Sequence, residues 1–75
     1  MADIELDTSG LTCPLPVLKA KKAIRDLAAG GTLAVISTDP GSVEDFEVFC
    51  EVTGHVLLEQ TAADGRYHFL IRRKD

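Results

Sequence analysis

Seventy-five residues can build one hydrophobic core but not two independent ones. A hydrophobic fraction of 45% excludes a disordered tail, and an aromatic fraction of 5% without Trp leaves no stacking platform for single-stranded nucleic acid. The net charge of -4 argues against general nucleic-acid affinity, and no apolar run approaches the ~20 residues of a membrane span.

Residues 3–7 alternate, with Ile4 and Leu6 on one face and Asp3, Glu5 and Asp7 on the other, which predicts a half-buried strand. Thr8, Ser9 and Gly10 break the pattern. Residues 14–28 read as a helix whose buried face is Val17, Ala20, Ile24, Leu27 and Ala28. Pro14 suits its first position, and Gly30 with Gly31 ends it. The apolar run over residues 32–38 predicts a central strand. Asp39, Pro40, Gly41 and Ser42 stop that strand and start a second helix, where Ser42 and Asp45 have the spacing of a capping box. Val43, Phe46, Phe49, Cys50 and Thr53 share one face of this helix, and Gly54 closes it. Residues 55–61 and 66–73 read as two strands joined through Ala62, Ala63, Asp64 and Gly65, with Asp-Gly as the hairpin signal. The order is βαβαββ. Right-handed crossovers put both helices on one face, giving an α/β two-layer sandwich with a mixed four-stranded sheet. One domain is expected over residues 1–75.

Charge is unevenly placed. The basic residues fall into two groups, Lys19, Lys21, Lys22 and Arg25, then Arg66, Arg72, Arg73 and Lys74, while the stretch from Asp39 to Glu59 has carboxylates and no base. The acidic N-terminus lacks the basic start and apolar stretch of a signal peptide. Two cysteines are too few for a disulfide framework, so a reduced, cytoplasmic protein with no membrane partner and no direct nucleic-acid partner is expected.

The segment Gly10-Leu11-Thr12-Cys13-Pro14-Leu15-Pro16 lies where the first strand meets the first helix. With Cys13 as N-cap, Pro14 and Pro16 stiffen the first turn and lack N–H groups, which leaves the Leu15 N–H aimed near the sulfur. Helix starts favour a thiolate over a thiol, and Lys19 and Lys22 add screened support, so Cys13 is expected to be a presented, partly ionised nucleophile. The same residues also fit a small buried cysteine beside a proline that merely starts a helix.

These residues, followed in order by Asp39-Pro40 with Asp45, by Phe49-Cys50 with Gly54-His55, and by Leu70-Ile71-Arg72, resemble the TusA/SirA sulfur-carrier family and its Cys-Pro-x-Pro motif. The resemblance runs from Leu6 to Arg73. It implies a two-layer βαβαββ fold and a Cys13 that accepts sulfane sulfur as a persulfide and passes it to a partner protein. It implies a cysteine desulfurase or rhodanese-type donor and a downstream acceptor protein, in tRNA thiolation, cofactor assembly or sulfur metabolism. No cofactor is implied. Members active in tRNA thiolation carry an acidic residue between the prolines, where this chain has Leu15, so the pathway stays open.

Leu15 and Leu18 project away from the first helix's buried face, and the cations Lys21, Lys22 and Arg25 extend that surface into a candidate docking site for partners. Cys50 shares a face with Phe46 and reads as a core residue rather than a resolving thiol. A zinc site from Cys13, Cys50, His55 and His68 lacks any recognised ligand spacing, so no metal is expected. The alternative function is a non-catalytic redox-regulatory or interaction module in which Cys13 senses oxidation.

Overall fold

The computed structural model describes residues 2–74. Its elements are β1 (Ile4–Thr8), α1 (Leu15–Ile24), β2 (Thr32–Ser37), α2 (Ser42–Thr53), β3 (Val56–Ala63) and β4 (Arg66–Arg72). The expected βαβαββ order and mixed four-stranded sheet are present, with strand order β1-β2-β4-β3. β1 pairs parallel with β2, while β4 pairs antiparallel with both β2 and β3.

Alternation along the strands decides which face is covered. Leu33 and Val35 of β2 and Phe69 and Ile71 of β4 are buried, and they meet Ala20, Ile24 and Leu27 from α1 and its exit, with Phe46 and Cys50 from α2. The Phe46 and Phe69 rings lie 4.5 Å apart at 32°. Burying each such ring contributes about 1.5–3 kcal/mol. Glu5, Asp7, Ala34, Ile36, His68 and Leu70 line the opposite, open face of the sheet. His68 is thus on the other side from Tyr67 and Phe69, as their alternation requires.

Several boundaries differ from those the sequence predicts. The first helix ends at Ile24 rather than residue 28, and the chain continues through tight turns in which the Asp26 and Leu27 N–H groups donate to the Ala23 and Ile24 carbonyls. Arg73, from just beyond β4, donates to the carbonyls of Ile24, Arg25 and Leu27, satisfying groups that a longer helix would have paired internally. Nothing in residues 14–28 announces this, because the capping group is on another element. The hairpin is tighter than expected: β3 runs to Ala63, leaving Asp64 (φ 54°) and Gly65 (φ 76°) as a two-residue turn. Positive φ at both central positions matches the strand twist, and it explains the Asp-Gly choice. Gly54 caps α2 at φ 86°.

Candidate functional site

β1 and β2 are adjacent and parallel, so the loops after their C-terminal ends emerge side by side. Thr8 and Ser37 are register partners at these ends and both are buried. The Thr8 hydroxyl donates to the Ile36 carbonyl at 2.5 Å, and the Ser37 hydroxyl accepts the Asp39 N–H at 3.2 Å. The first loop is then tied to the second: the Gly10 N–H donates to Thr38 Oγ1 at 2.9 Å, and the Cys13 N–H to Asp39 Oδ2 at 2.5 Å. Gly10 is at φ 83°, a conformation that side chains disfavour, and it lets the chain leave β1 towards this contact.

Cys13 is exposed here as a free thiol. It is not the N-cap. Pro14 occupies that position, Leu15 is the first helical residue and Pro16 the second. The expected role of the Leu15 N–H is therefore overturned: it closes a turn by donating to the Thr12 carbonyl at 2.9 Å. Pro16 is fully buried, which anchors the first turn against the core, whereas Pro14 and Leu15 are exposed.

The largest departure concerns the charge on the sulfur. Cys13 Sγ donates a hydrogen bond to Asp45 Oδ2, a contact between the α1 entrance and the first turn of α2. The Asp45 hydrogen bond, desolvation, and the negative charges of Asp45 and Asp39 push the Cys13 thiol up to about 11. The sequence expectation of a partial thiolate is not met, because the Asp45 and Asp39 carboxylates act on the sulfur and outweigh a helix start. The capping box fails for the same reason. α2 has no side-chain cap, the Ser42 hydroxyl donates to the Asp39 carbonyl at 2.6 Å, and Asp45 is engaged with Cys13. Asp39 also accepts the Gly41 N–H at 3.1 Å, so its carboxylate organises the loop on both sides.

An open groove runs between the helices from this end of the molecule. Pro14 and Asp45 line it beside Cys13, and Leu18, Lys21, Val48 and Val52 line it beyond. Leu18, Val48 and Val52 are 53%, 50% and 79% exposed. Lys22 and Arg25 are exposed on α1, but Lys21 is the α1 cation that lines the groove. Arg25, Lys21, His55, Arg73 and Lys74 line a separate basic hollow at the far end of α1. His55 accepts the Lys74 N–H at Nδ1, and burial with the adjacent Lys74 and Arg73 charges lowers its pKa.

Cys50 faces the core and is a free cysteine. Among the described residues, no three His, Cys, Asp or Glu side chains gather as metal ligands would. Among them, too, no helix is long and apolar enough to cross a membrane. Sequence reasoning missed Asp39 and Asp45 as neighbours of the thiol. The signal was available in the topology: adjacent parallel strands bring the loop after β2 and the first turn of α2 to the Cys13 loop.

The whole chain is similar to known proteins. The family described as "Sulfurtransferase TusA" matches residues 4–73. The chain is 52% identical over 71 residues to the sulfur carrier protein TusA of Allochromatium vinosum, covering 95% of this chain and 93% of that protein. It is 48% identical over 69 residues to a putative sulfur carrier protein of Neisseria meningitidis, covering 92% of this chain and 93% of that protein. A crystal structure of a SirA-like protein from Desulfitobacterium hafniense superposes with a TM-score of 0.83 at 31% identity, covering 96% of this chain and 99% of that one. The chain belongs to the TusA family.

Proposed function

We propose that this protein is a sulfur carrier in which Cys13 holds a sulfane sulfur as a persulfide between two partner proteins. Residues 1–75 act as one carrier domain, the first and last lying outside the described residues. The observation that carries the reading is the placement of Cys13: an exposed thiol between a fully buried Pro16 and a hydrogen-bonded Asp39, in a chain of this family. Gly10, Pro14, Leu15 and Pro16 present the sulfur, and its surroundings leave room for another protein's cysteine to reach it.

The reaction is thiol–persulfide exchange. The Cys13 sulfur attacks the terminal sulfur of a persulfide on the donor, forming one S–S bond as the donor's own S–S bond breaks. The departing electron pair stays on the donor cysteine, which takes up the proton that Cys13 gives up. No net oxidation occurs, and the same exchange in the other direction unloads the carrier onto its acceptor. A cysteine desulfurase or a rhodanese-type protein is the donor class, and the acceptor is a downstream sulfur-relay protein in tRNA thiolation, cofactor biosynthesis or sulfur metabolism. The setting is cytoplasmic, with no direct nucleic-acid contact and no membrane partner. Leu18 and Lys21 line the docking groove, while Lys22 and Arg25, exposed on the same helix outside it, orient the approaching partner.

The redox-sensor alternative uses the same exposed thiol, and persulfide loading separates the two readings. The test is intact mass after incubation with a cysteine desulfurase and cysteine. Wild type is expected to gain one sulfur that a thiol reductant removes, and Cys13→Ser none. Equal loading of the two proteins, or no loading of wild type by any desulfurase or rhodanese, would sink the carrier reading.

A further inference from the structure

We propose that Asp45 is a positioning residue that keeps Cys13 a thiol in the free protein, so that the sulfur becomes nucleophilic only when a docked protein offsets the Asp45 charge. This deepens the carrier reading and rests on it. The geometry that carries it is the Sγ to Oδ2 hydrogen bond across the α1–α2 junction, with Asp39 held on the Cys13 N–H at 2.5 Å from the adjoining loop. A hydrogen bond from a thiol to a carboxylate favours the neutral sulfur, because ionisation would set two anions against each other.

The charges that act on the sulfur are Asp45 from α2 and Asp39 from the β2–α2 loop. Glu44 of α2 and Lys21 of α1 line the adjoining groove. Asp45 lines that groove too, so a partner lying in it covers Asp45 and reaches Cys13 together. A lysine or arginine on that partner would pair with the carboxylate and lower the cost of the thiolate. The proton then leaves Cys13 as its sulfur attacks the donor persulfide, and it ends on the departing donor cysteine. Asp45 is a net participant in no bond change. In the free protein the same contact protects an exposed thiol from oxidants and alkylators, which react with the thiolate.

The experiment measures the alkylation rate of the free protein by iodoacetamide against pH, in wild type and in Asp45→Asn. Cys50→Ala is the background for both, so that one thiol is followed. The wild-type rate should keep rising towards about pH 11, because the thiolate fraction grows until the pKa is passed. Asp45→Asn keeps an acceptor oxygen but removes the charge. Its midpoint should fall towards the ordinary thiol value of about 8.5, and its rate near neutral pH should rise roughly tenfold, since a less basic thiolate is also less nucleophilic. Loading by a cysteine desulfurase should gain less than alkylation does, because docking already offsets the charge in wild type.

Superimposable pH profiles would overturn the proposal, and so would an equal gain in both assays. Thermal melts establish that the variant is folded. If it is not, Asp45→Ser on the same background replaces it and is read in the same way: a lowered midpoint supports the role of Asp45, and an unchanged one overturns it. A wild type that alkylates as expected yet never gains sulfur would defeat the carrier reading and leave the thiol chemistry standing. Normal loading with coincident profiles would do the reverse.

Discussion

Cys13 and Cys50 differ in almost every respect of environment, yet both thiols are held at about 11. At Cys13 the Asp45 hydrogen bond acts first on an exposed sulfur. At Cys50 the cause is burial: the side chain is 6% exposed and packs in the cluster that contains Phe46 and Phe69. The first restraint lies at the surface, where another protein's charge can cancel it. The second is built into the core and is lifted only when α2 leaves the sheet. Two cysteines whose thiols are both raised therefore have different access to chemistry.

The comparison breaks most sharply under substitution. Cys13→Ser should abolish sulfur loading outright, whereas a folded Cys50→Ala should load as wild type does. Equal losses in the two variants, read by intact mass, would mean that the buried thiol takes part.

A smaller effect separates the docking surface from the core. Reversing Lys21 and Arg25 to glutamate should weaken binding of a protein donor about tenfold at low salt, equivalent to ~1.4 kcal/mol, and the loss should shrink as salt rises. Titration calorimetry at two ionic strengths reads this, and unchanged affinity at both would leave these residues as a solvated face.

The smallest effect is on stability. Cys50→Ala removes a sulfur from a packed site and should cost about 1–2 kcal/mol in urea unfolding. Folding also raises the Cys50 pKa, so its native thiol holds a proton more tightly than the unfolded one. That contribution is complete below pH 9 and is lost as pH rises through about 11. A Cys50→Ala protein that matches wild type in stability would remove Cys50 from the list of core contributors.

The fold was largely legible because its period signals are local. The alternation of Ile4 and Leu6, the apolar run of β2 and the helical spacing of Phe46 and Cys50 each identify an element from its own residues. What the sequence hid is long-range. Arg73 ends α1 from 49 residues away, and Asp45 reaches Cys13 from 32 away. A capping box and a helix-start thiolate are local rules, and each gave way when a tertiary contact claimed the same side chain. Exposure of Leu15 and Leu18 was readable from helical phase, while the groove beside them needed Val48 and Val52 of α2 to form its other wall.

The central claim is that one surface thiol carries the sulfur. The most direct measurement is to load wild-type protein with a cysteine desulfurase and cysteine, trap the persulfide, digest the chain and locate the added sulfur by peptide mass spectrometry. The account predicts that the sulfur lies on the peptide containing Cys13, with Cys50 recovered as an unmodified thiol. Sulfur on the Cys50 peptide, or divided between the two, would contradict it.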